Sequence, residues 1–150
     1  MRGIPGTIAA AALLLQTSAQ TQGAPVRQIF CRGLERVVEA ARDEGGFLRL
    51  ERSRSAPPHL GFLHGCRATG DRRRQYWLCN QSLAPPELSL ESLAAQTAAC
   101  FPEALQGKDG PYRETVFTLP GARIHISEHG GPRAHVGRIV ELMVEAIPTP

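Results

Sequence analysis

Three stretches of the chain place apolar residues three and four positions apart, and this pattern predicts three helices. The first helix extends from about Val26 to Asp43. The second begins at Ser89, whose hydroxyl suits an N-cap, and the third lies between Pro132 and Pro148, which cannot continue a helix. Their apolar faces hold Ile29, Phe30, Leu34, Val37, Val38 and Ala41 in the first, Leu90, Leu93, Ala94, Thr97, Cys100 and Phe101 in the second, and Val136, Ile139, Val140, Met143, Val144 and Ile147 in the third.

Five further stretches are typical of strands, because apolar and polar residues alternate along them. The first is Phe47–Ser53. Leu60–Ala68 and Gln75–Gln81 follow as a hairpin whose tip carries three consecutive arginines. Tyr112–Leu119 and Ala122–His129 form a second hairpin around a Pro-Gly turn.

The turn of the second hairpin also predicts how its two strands pair. A two-residue turn places Leu119 opposite Ala122, and the same register places Phe117 opposite Ile124. One face of the hairpin then carries Phe117, Leu119, Ile124 and Ile126, and the other carries Arg123, His125, Ser127 and His129. We expect the apolar face to be buried, and Glu128 to point to that side as well, away from the histidines.

The predicted order of elements is helix, three strands, helix, two strands, helix. Helices with one apolar face need a sheet to cover, so the fold class is α+β, a two-layer sandwich in which three helices cover an antiparallel sheet of about five strands. The chain has 150 residues, of which 42% are hydrophobic and 21% charged, and it contains no internal repeat. Residues 26–150 are therefore expected to form a single domain.

The N-terminus has the pattern of a secretory signal peptide. Arg2 precedes an uncharged, mainly apolar run from Ile4 to Leu15, and Thr17 and Ala19 supply the small residues that a signal peptidase requires. We expect cleavage after Ala19, which leaves residues 20–25 as a short flexible tail and the mature protein in the periplasm or the medium. An uncleaved anchor is the alternative, but the run of about 12 residues is shorter than the ~20 that span a bilayer.

Four cysteines in the mature chain predict two disulfides, as is usual in exported domains. Pairing in sequence order, Cys31 with Cys66 and Cys79 with Cys100, would tie each of two helices to its nearest strand and is preferred. The rival is nested pairing, in which Cys66 and Cys79 meet across the first hairpin and Cys31 joins Cys100. A zinc site is not expected, because the cysteines lack the short spacings of such sites.

Positive charge is concentrated in the first half of the mature chain. Residues 20–75 contain eleven arginines and six acidic residues, whereas the remainder has five basic and eight acidic residues. The net charge of +3 is too small to indicate nucleic acid as a partner. The arginines and aromatic residues around the first hairpin are a candidate protein-binding patch, composed of Arg72, Arg73, Arg74, Tyr76 and Trp77. Solvated arginines without a partner are the alternative interpretation.

The second candidate region contains three histidines near the end of the second hairpin: His125, His129 and His135. Imidazoles can bind a metal or move protons, so a metal- or histidine-dependent hydrolase is the alternative function. However, His125 and His129 are four residues apart on one strand, about 13 Å at ~3.3 Å per residue, which is too far to share a metal ion. We therefore expect a solvated strand face, and we assign no catalytic residue, metal ligand or cofactor.

The sequence thus predicts an exported, non-enzymatic protein-interaction module, such as an inhibitor or an envelope accessory factor. Its expected partner is another envelope or extracellular protein. The mature chain contains no further apolar run long enough to cross a membrane.

Overall fold

The computed structural model of the protein describes residues 23–53, 58–71, 74–108, 113–130 and 137–147. Within these ranges there are three helices and six strands. The helices are α1 (Gly23–Ala41), α2 (Gly46–Arg52) and α3 (Leu90–Cys100), and the strands are β1 (Arg67–Gly70), β2 (Gln75–Gln81), β3 (Leu105–Gly107), β4 (Glu114–Leu119), β5 (Ala122–Gly130) and β6 (Arg138–Ala146).

All six strands form one antiparallel sheet in the order β1-β2-β6-β5-β4-β3. Alternate residues of the central strands are fully buried and join apolar residues of all three helices in one core. The helices therefore cover one face of the sheet, as the alternation requires. This confirms the predicted α+β sandwich, with six strands instead of about five.

The segment predicted as the third helix is strand β6, which lies between β2 and β5 at the centre of the sheet. Its apolar residues fit the spacing of a helix and also that of a strand. Val140 and Val144, for example, are four positions apart, which places them on one face in either element. The buried positions are Val140, Leu142 and Val144, at a spacing of two, while Ile139 and Met143 are only half-buried on the other face. The helical prediction was wrong because it counted both sets as one face.

The segment predicted as the first strand, Phe47–Ser53, is the short helix α2. Phe47 is buried and Leu50, three residues later, also packs against the core, whereas Leu48 is exposed. The alternation of Leu48 and Leu50 with charged residues suggested a strand, but the core contacts follow helical spacing. Gly45, with φ of +65°, provides the turn that separates α2 from α1.

The two predicted hairpins are present, with a shorter first arm. β1 begins only at Arg67, because Leu60 and Leu63 close a tight turn instead of extending the strand. β2 spans the predicted residues. In the second hairpin Leu119 pairs with Ala122, and the four residues predicted for its apolar face are buried.

The first and second predicted helices are also present. α3 starts after Ser89, whose Oγ accepts a hydrogen bond of 3.1 Å from the backbone N–H of Ser92. The Ser92 hydroxyl in turn accepts one of 2.9 Å from the backbone N–H of Ser89, so the two residues cap the helix reciprocally. α1 begins at Gly23, inside the segment 20–25 predicted as a flexible tail.

The disulfides follow the nested pattern, so the preferred sequential pairing was wrong. Cys31 of α1 is bonded to Cys100 at the end of α3, with Cα atoms 5.3 Å apart. Cys66 is bonded to Cys79, because the β1–β2 register that pairs Arg67 with Leu78 brings the preceding cysteine opposite Cys79. Sequential pairing had assumed that each disulfide ties a helix to its nearest strand, whereas one bond joins two helices and the other joins the two sides of a hairpin.

Two disulfides are compatible with an oxidising extracellular or periplasmic location. None of the helices in the described ranges is both long and apolar enough to cross a membrane. The predicted signal peptide, residues 1–19, lies outside the described residues.

Candidate binding groove

The face of the sheet opposite the helices is here called the outer face. It carries most of the polar and charged side chains of the central strands. Strand register places Leu78, Met143, His125 and Val116 side by side in one row across β2, β6, β5 and β4. Charged residues occupy the rows on either side of this apolar row. His125 is therefore the one polar side chain between Met143 and Val116, its direct neighbours on the adjacent strands.

Four ionisable side chains on the outer face, Glu114, His125, Glu145 and Arg123, form one connected cluster, here called the His125 network. His125 Nδ1 lies 2.7 Å from Glu114 Oε1, and His125 Nε2 lies 3.1 Å from Glu145 Oε1. Arg123 Nη1 donates a hydrogen bond of 3.0 Å to the same Glu145 oxygen. The side chains of His125 and Glu145 are only 12% and 14% exposed, so neighbouring groups replace much of their water.

The geometry of the network depends on the charge of the imidazole. A neutral ring has a proton on one nitrogen only, so it can donate to Glu114 or to Glu145 but not to both. A protonated ring donates from both nitrogens. The arrangement with a carboxylate at each nitrogen is therefore satisfied only when His125 is protonated.

His129, the other predicted histidine that the structure describes, does not join this network. His129 Nε2 lies 2.9 Å from the hydroxyl of Ser127, and His129 is exposed near the end of β5. His135 lies outside the described residues. Among the residues that are described, no group of three His, Cys, Asp or Glu side chains is placed to hold a metal ion. The hydrolase hypothesis thus gains no common site for His125 and His129.

Glu128 lies on the buried side of β5, as the alternation predicts, and supports the start of α3. Its Oε2 accepts a hydrogen bond of 3.0 Å from the backbone N–H of Leu90, and its Oε1 lies 3.3 Å from Arg113 Nη1. Arg113 also binds Glu91 at 2.7 Å. A backbone hydrogen bond in the first turn of α3, followed by the contact with Arg113, lowers the pKa of Glu91.

A groove of about 870 Å³ opens at the end of the sheet where β6 finishes and β2 and β5 begin. Its opposite wall is the end of α1 with the turn into α2. We call it the arginine groove, because three arginines from separate segments line it. Its lining residues are Ala40, Ala41, Arg42, Asp43, Glu44, Gly45, Phe47, Arg74, Gln75, Arg123, Glu145, Ala146 and Ile147.

The backbone around the groove holds the arginines in place. Arg42 Nε donates a hydrogen bond of 3.1 Å to the carbonyl oxygen of Pro120. The Arg42 stem also packs over Gly121, where a Cβ would lie 3.0 Å from Arg42 Cγ and where φ is +75°. The backbone N–H of Arg74 binds the Asp71 carboxylate at 2.9 Å, which fixes this residue at the start of β2.

The three residues of the predicted patch that the structure describes do not share one surface. Trp77 is fully buried, with its ring 6.5 Å from that of Phe47, so its side chain cannot contact a partner. Tyr76 is half-buried on the outer face, and Arg74 lines the groove. Arg72 and Arg73 lie outside the described residues. Placing Trp77 in the patch was wrong, because adjacent residues of a strand point to opposite faces.

Sequence reasoning missed two residues of this region. Arg42 was not singled out, and its contact with Pro120 spans 78 residues of sequence. Glu145 had been placed on a predicted helix, so its pairing with Arg123 was not foreseen. A strand assignment for residues 138–146 would have revealed the second contact but not the first.

Comparison of the chain with models of protein families, with curated proteins and with solved structures finds no match. The candidate function therefore rests on the groove and on the outer face of the sheet.

Proposed function

We propose that the mature chain is an exported, non-enzymatic interaction module that binds an acidic, extended segment of another envelope or extracellular protein in the arginine groove. The observation that carries this proposal is the convergence on one groove of Arg42, which follows α1, Arg74, which precedes β2, and Arg123 of β5. These segments are distant in the sequence, so the cluster is a product of the fold.

The balance of charges in the groove favours an acidic ligand. Three acidic residues also line it, but Asp43 pairs with Arg49 at 3.4 Å and Glu145 is held by Arg123 and His125. Arg74 is exposed and has no ion-pair partner among the described residues. Arg42 uses only its Nε internally. Two guanidinium groups thus remain available against the single carboxylate of Glu44.

The groove also offers apolar surface beside the arginines. Ala40, Phe47 and Ile147 contribute to its lining, and the stem of Arg42 lies against Gly121. Arginine beside apolar surface is a common composition at the energetic centre of protein interfaces. A guanidinium can bind a carboxylate through two parallel hydrogen bonds, which gives specificity as well as attraction.

The scaffold around the groove is well suited to a preformed binding site. α1 is tied to α3 by the disulfide of Cys31 and Cys100, and β1 to β2 by that of Cys66 and Cys79. A site that is already ordered loses little conformational entropy on binding. Disulfide bonds and the predicted signal peptide together support a role outside the cytoplasm.

The test uses the oxidised mature protein and a fluorescein-labelled octa-aspartate peptide, with binding measured by fluorescence anisotropy. We expect saturable binding that weakens as NaCl is raised from about 20 to about 200 mM. The double variant Arg42→Glu, Arg74→Glu should lower the affinity at least about tenfold, because it reverses two charges in the groove.

The matched control is the double variant Arg27→Glu, Arg32→Glu, which makes the same change in net charge at two exposed positions of α1. We expect its affinity to stay within about twofold of the unmodified protein. An equal loss in both double variants would show attraction by net charge without a defined site, and would refute the proposal. Absence of binding by the unmodified protein would refute it as well.

A further inference from the structure

We infer that the protonation of His125 controls how strongly the arginine groove attracts an acidic ligand. The inference rests on the proposed function and concerns the regulation of that same site. Two members of the His125 network, Arg123 and Glu145, are also lining residues of the groove. A change in charge at His125 is thereby passed to the groove through the Glu145 carboxylate.

The net charge of the His125 network becomes more negative when His125 loses its proton. With His125 protonated, the two carboxylates of Glu114 and Glu145 are balanced by the imidazolium and by Arg123. Loss of the imidazole proton leaves the network with a net charge of −1. An acidic ligand in the adjacent groove is then repelled more strongly.

The change in hydrogen bonding on deprotonation of His125 also weakens the attraction of the groove for an acidic ligand. Arg123 Nη1 and His125 Nε2 both approach Glu145 Oε1, at 3.0 and 3.1 Å. A neutral imidazole that keeps its proton on Nδ1, toward Glu114, turns a lone pair toward this oxygen. Glu145 then has Arg123 as its remaining partner, so the guanidinium of Arg123 is more fully neutralised and less able to bind a ligand.

The other groups that face His125 do not offset this change. Its direct neighbours on β4 and β6 are the apolar side chains of Val116 and Met143. In the next row, Glu141 accepts a hydrogen bond of 3.3 Å from Asn80, and Ser127 is paired with His129. The helices lie on the opposite face of the sheet. Histidine is the ordinary side chain that changes charge between about pH 5 and 8.

The experiment measures the affinity for the same octa-aspartate peptide at pH 5.5, 6.5, 7.5 and 8.5. The peptide stays ionised over this range. We expect binding to weaken by about three- to tenfold from the lowest to the highest pH, the effect of one partly screened charge near the groove. His125→Gln, which is neutral throughout, should bind with nearly constant affinity.

His129→Gln is the matched control, because it removes an imidazole from the same strand and the same face but outside the network. It should keep the pH dependence of the unmodified protein. A pH dependence that persists in His125→Gln, or affinity that rises with pH, would overturn the inference.

A second measurement needs no variant and decides the matter if His125→Gln does not fold. The His125 ring resonances of the unmodified protein are followed by NMR against pH, with and without the peptide. Linkage requires that bound peptide raise the titration midpoint of His125. The factor by which the proton affinity of His125 rises must equal the factor by which protonation of His125 raises the affinity for the peptide. An unmoved midpoint would overturn the inference.

The two proposals fail differently. Binding that depends on Arg42 and Arg74 but not on pH would overturn only the role of His125. No binding at any of the four pH values would overturn the proposed function and this inference together.

Discussion

The carboxylate of Glu128 accepts a hydrogen bond of 3.0 Å from the backbone N–H of Leu90, the first residue of α3. A strand residue thus caps a helix that is distant in sequence. The Glu128 side chain is only 8% exposed, and its negative charge lies where the helix dipole is positive. This contact ties the first turn of α3 to β5.

Glu128→Gln should therefore lower the free energy of unfolding by about 1–3 kcal/mol, because it removes the charge from a nearly buried site that also binds Arg113. Urea unfolding at pH 7 measures the change. Glu87→Gln, an exposed position close to the same helix end, is the control and should change stability by less than about 0.5 kcal/mol. Equal effects of the two variants would contradict the capping role.

The acidic residue in the first turn of α3 gives a prediction for low pH. The pKa of Glu91 is lowered in the folded protein, first by a backbone hydrogen bond and then by Arg113, so folding favours the carboxylate form. The resulting stability is present above the unfolded-state pKa and is lost as the pH falls through the folded-state value. The effect is small, because the side chain is 68% exposed.

Glu91→Gln should consequently make the urea midpoint fall less steeply between about pH 5 and pH 3 than it does in the unmodified protein. Glu103→Gln, at an exposed position after the end of α3, should leave the slope unchanged. The prediction fails if the slope is the same in Glu91→Gln as in the unmodified protein.

The position of β6 in the sheet predicts unequal losses of stability at two neighbouring residues. Val144 is fully buried in the core, whereas Met143 is half-buried on the outer face. Val144→Ala should cost about 2 kcal/mol of unfolding free energy and Met143→Ala less than half of that. Denaturant titration of both variants separates the strand from the helix first predicted there, since the helix would place both residues in the core.

The two disulfides should differ in their contribution to stability. The chain-entropy model assigns about 4 kcal/mol to the bond of Cys31 and Cys100 and about 3 kcal/mol to that of Cys66 and Cys79, because their sequence separations are 69 and 13. Paired Cys→Ala variants, unfolded by urea, test this order. Peptide mapping without reductant checks the pairing itself, and a fragment that joins Cys31 to Cys66 would contradict it.

Local rules predicted the parts of the fold that neighbouring residues determine. The turn at Pro120 and Gly121 leaves one register for β4 and β5, so the pairing of Leu119 with Ala122 followed from the sequence. Ser89 likewise marked the start of α3. In these cases the turn or cap chemistry excludes the alternatives.

The remaining features depend on contacts between distant segments. β6 satisfies both a helical and a strand period, and only its place between β2 and β5 decides between them. The arginine groove is lined by Arg42, which follows α1, and by Arg123 of the sheet. No local sequence pattern predicts that these two residues line the same groove, so the site could not be found before the fold was known.

The position of β6 also bears on how the domain folds. β2 and β5 do not pair with each other, and each is hydrogen-bonded to β6 instead. The β1–β2 hairpin and the sheet of β3, β4 and β5 are therefore joined into one sheet only through residues 138–146. β2 and β6 are distant in the sequence, and pairings between distant segments form slowly. Closure of the whole sheet around β6 is therefore expected to be a slow step in folding.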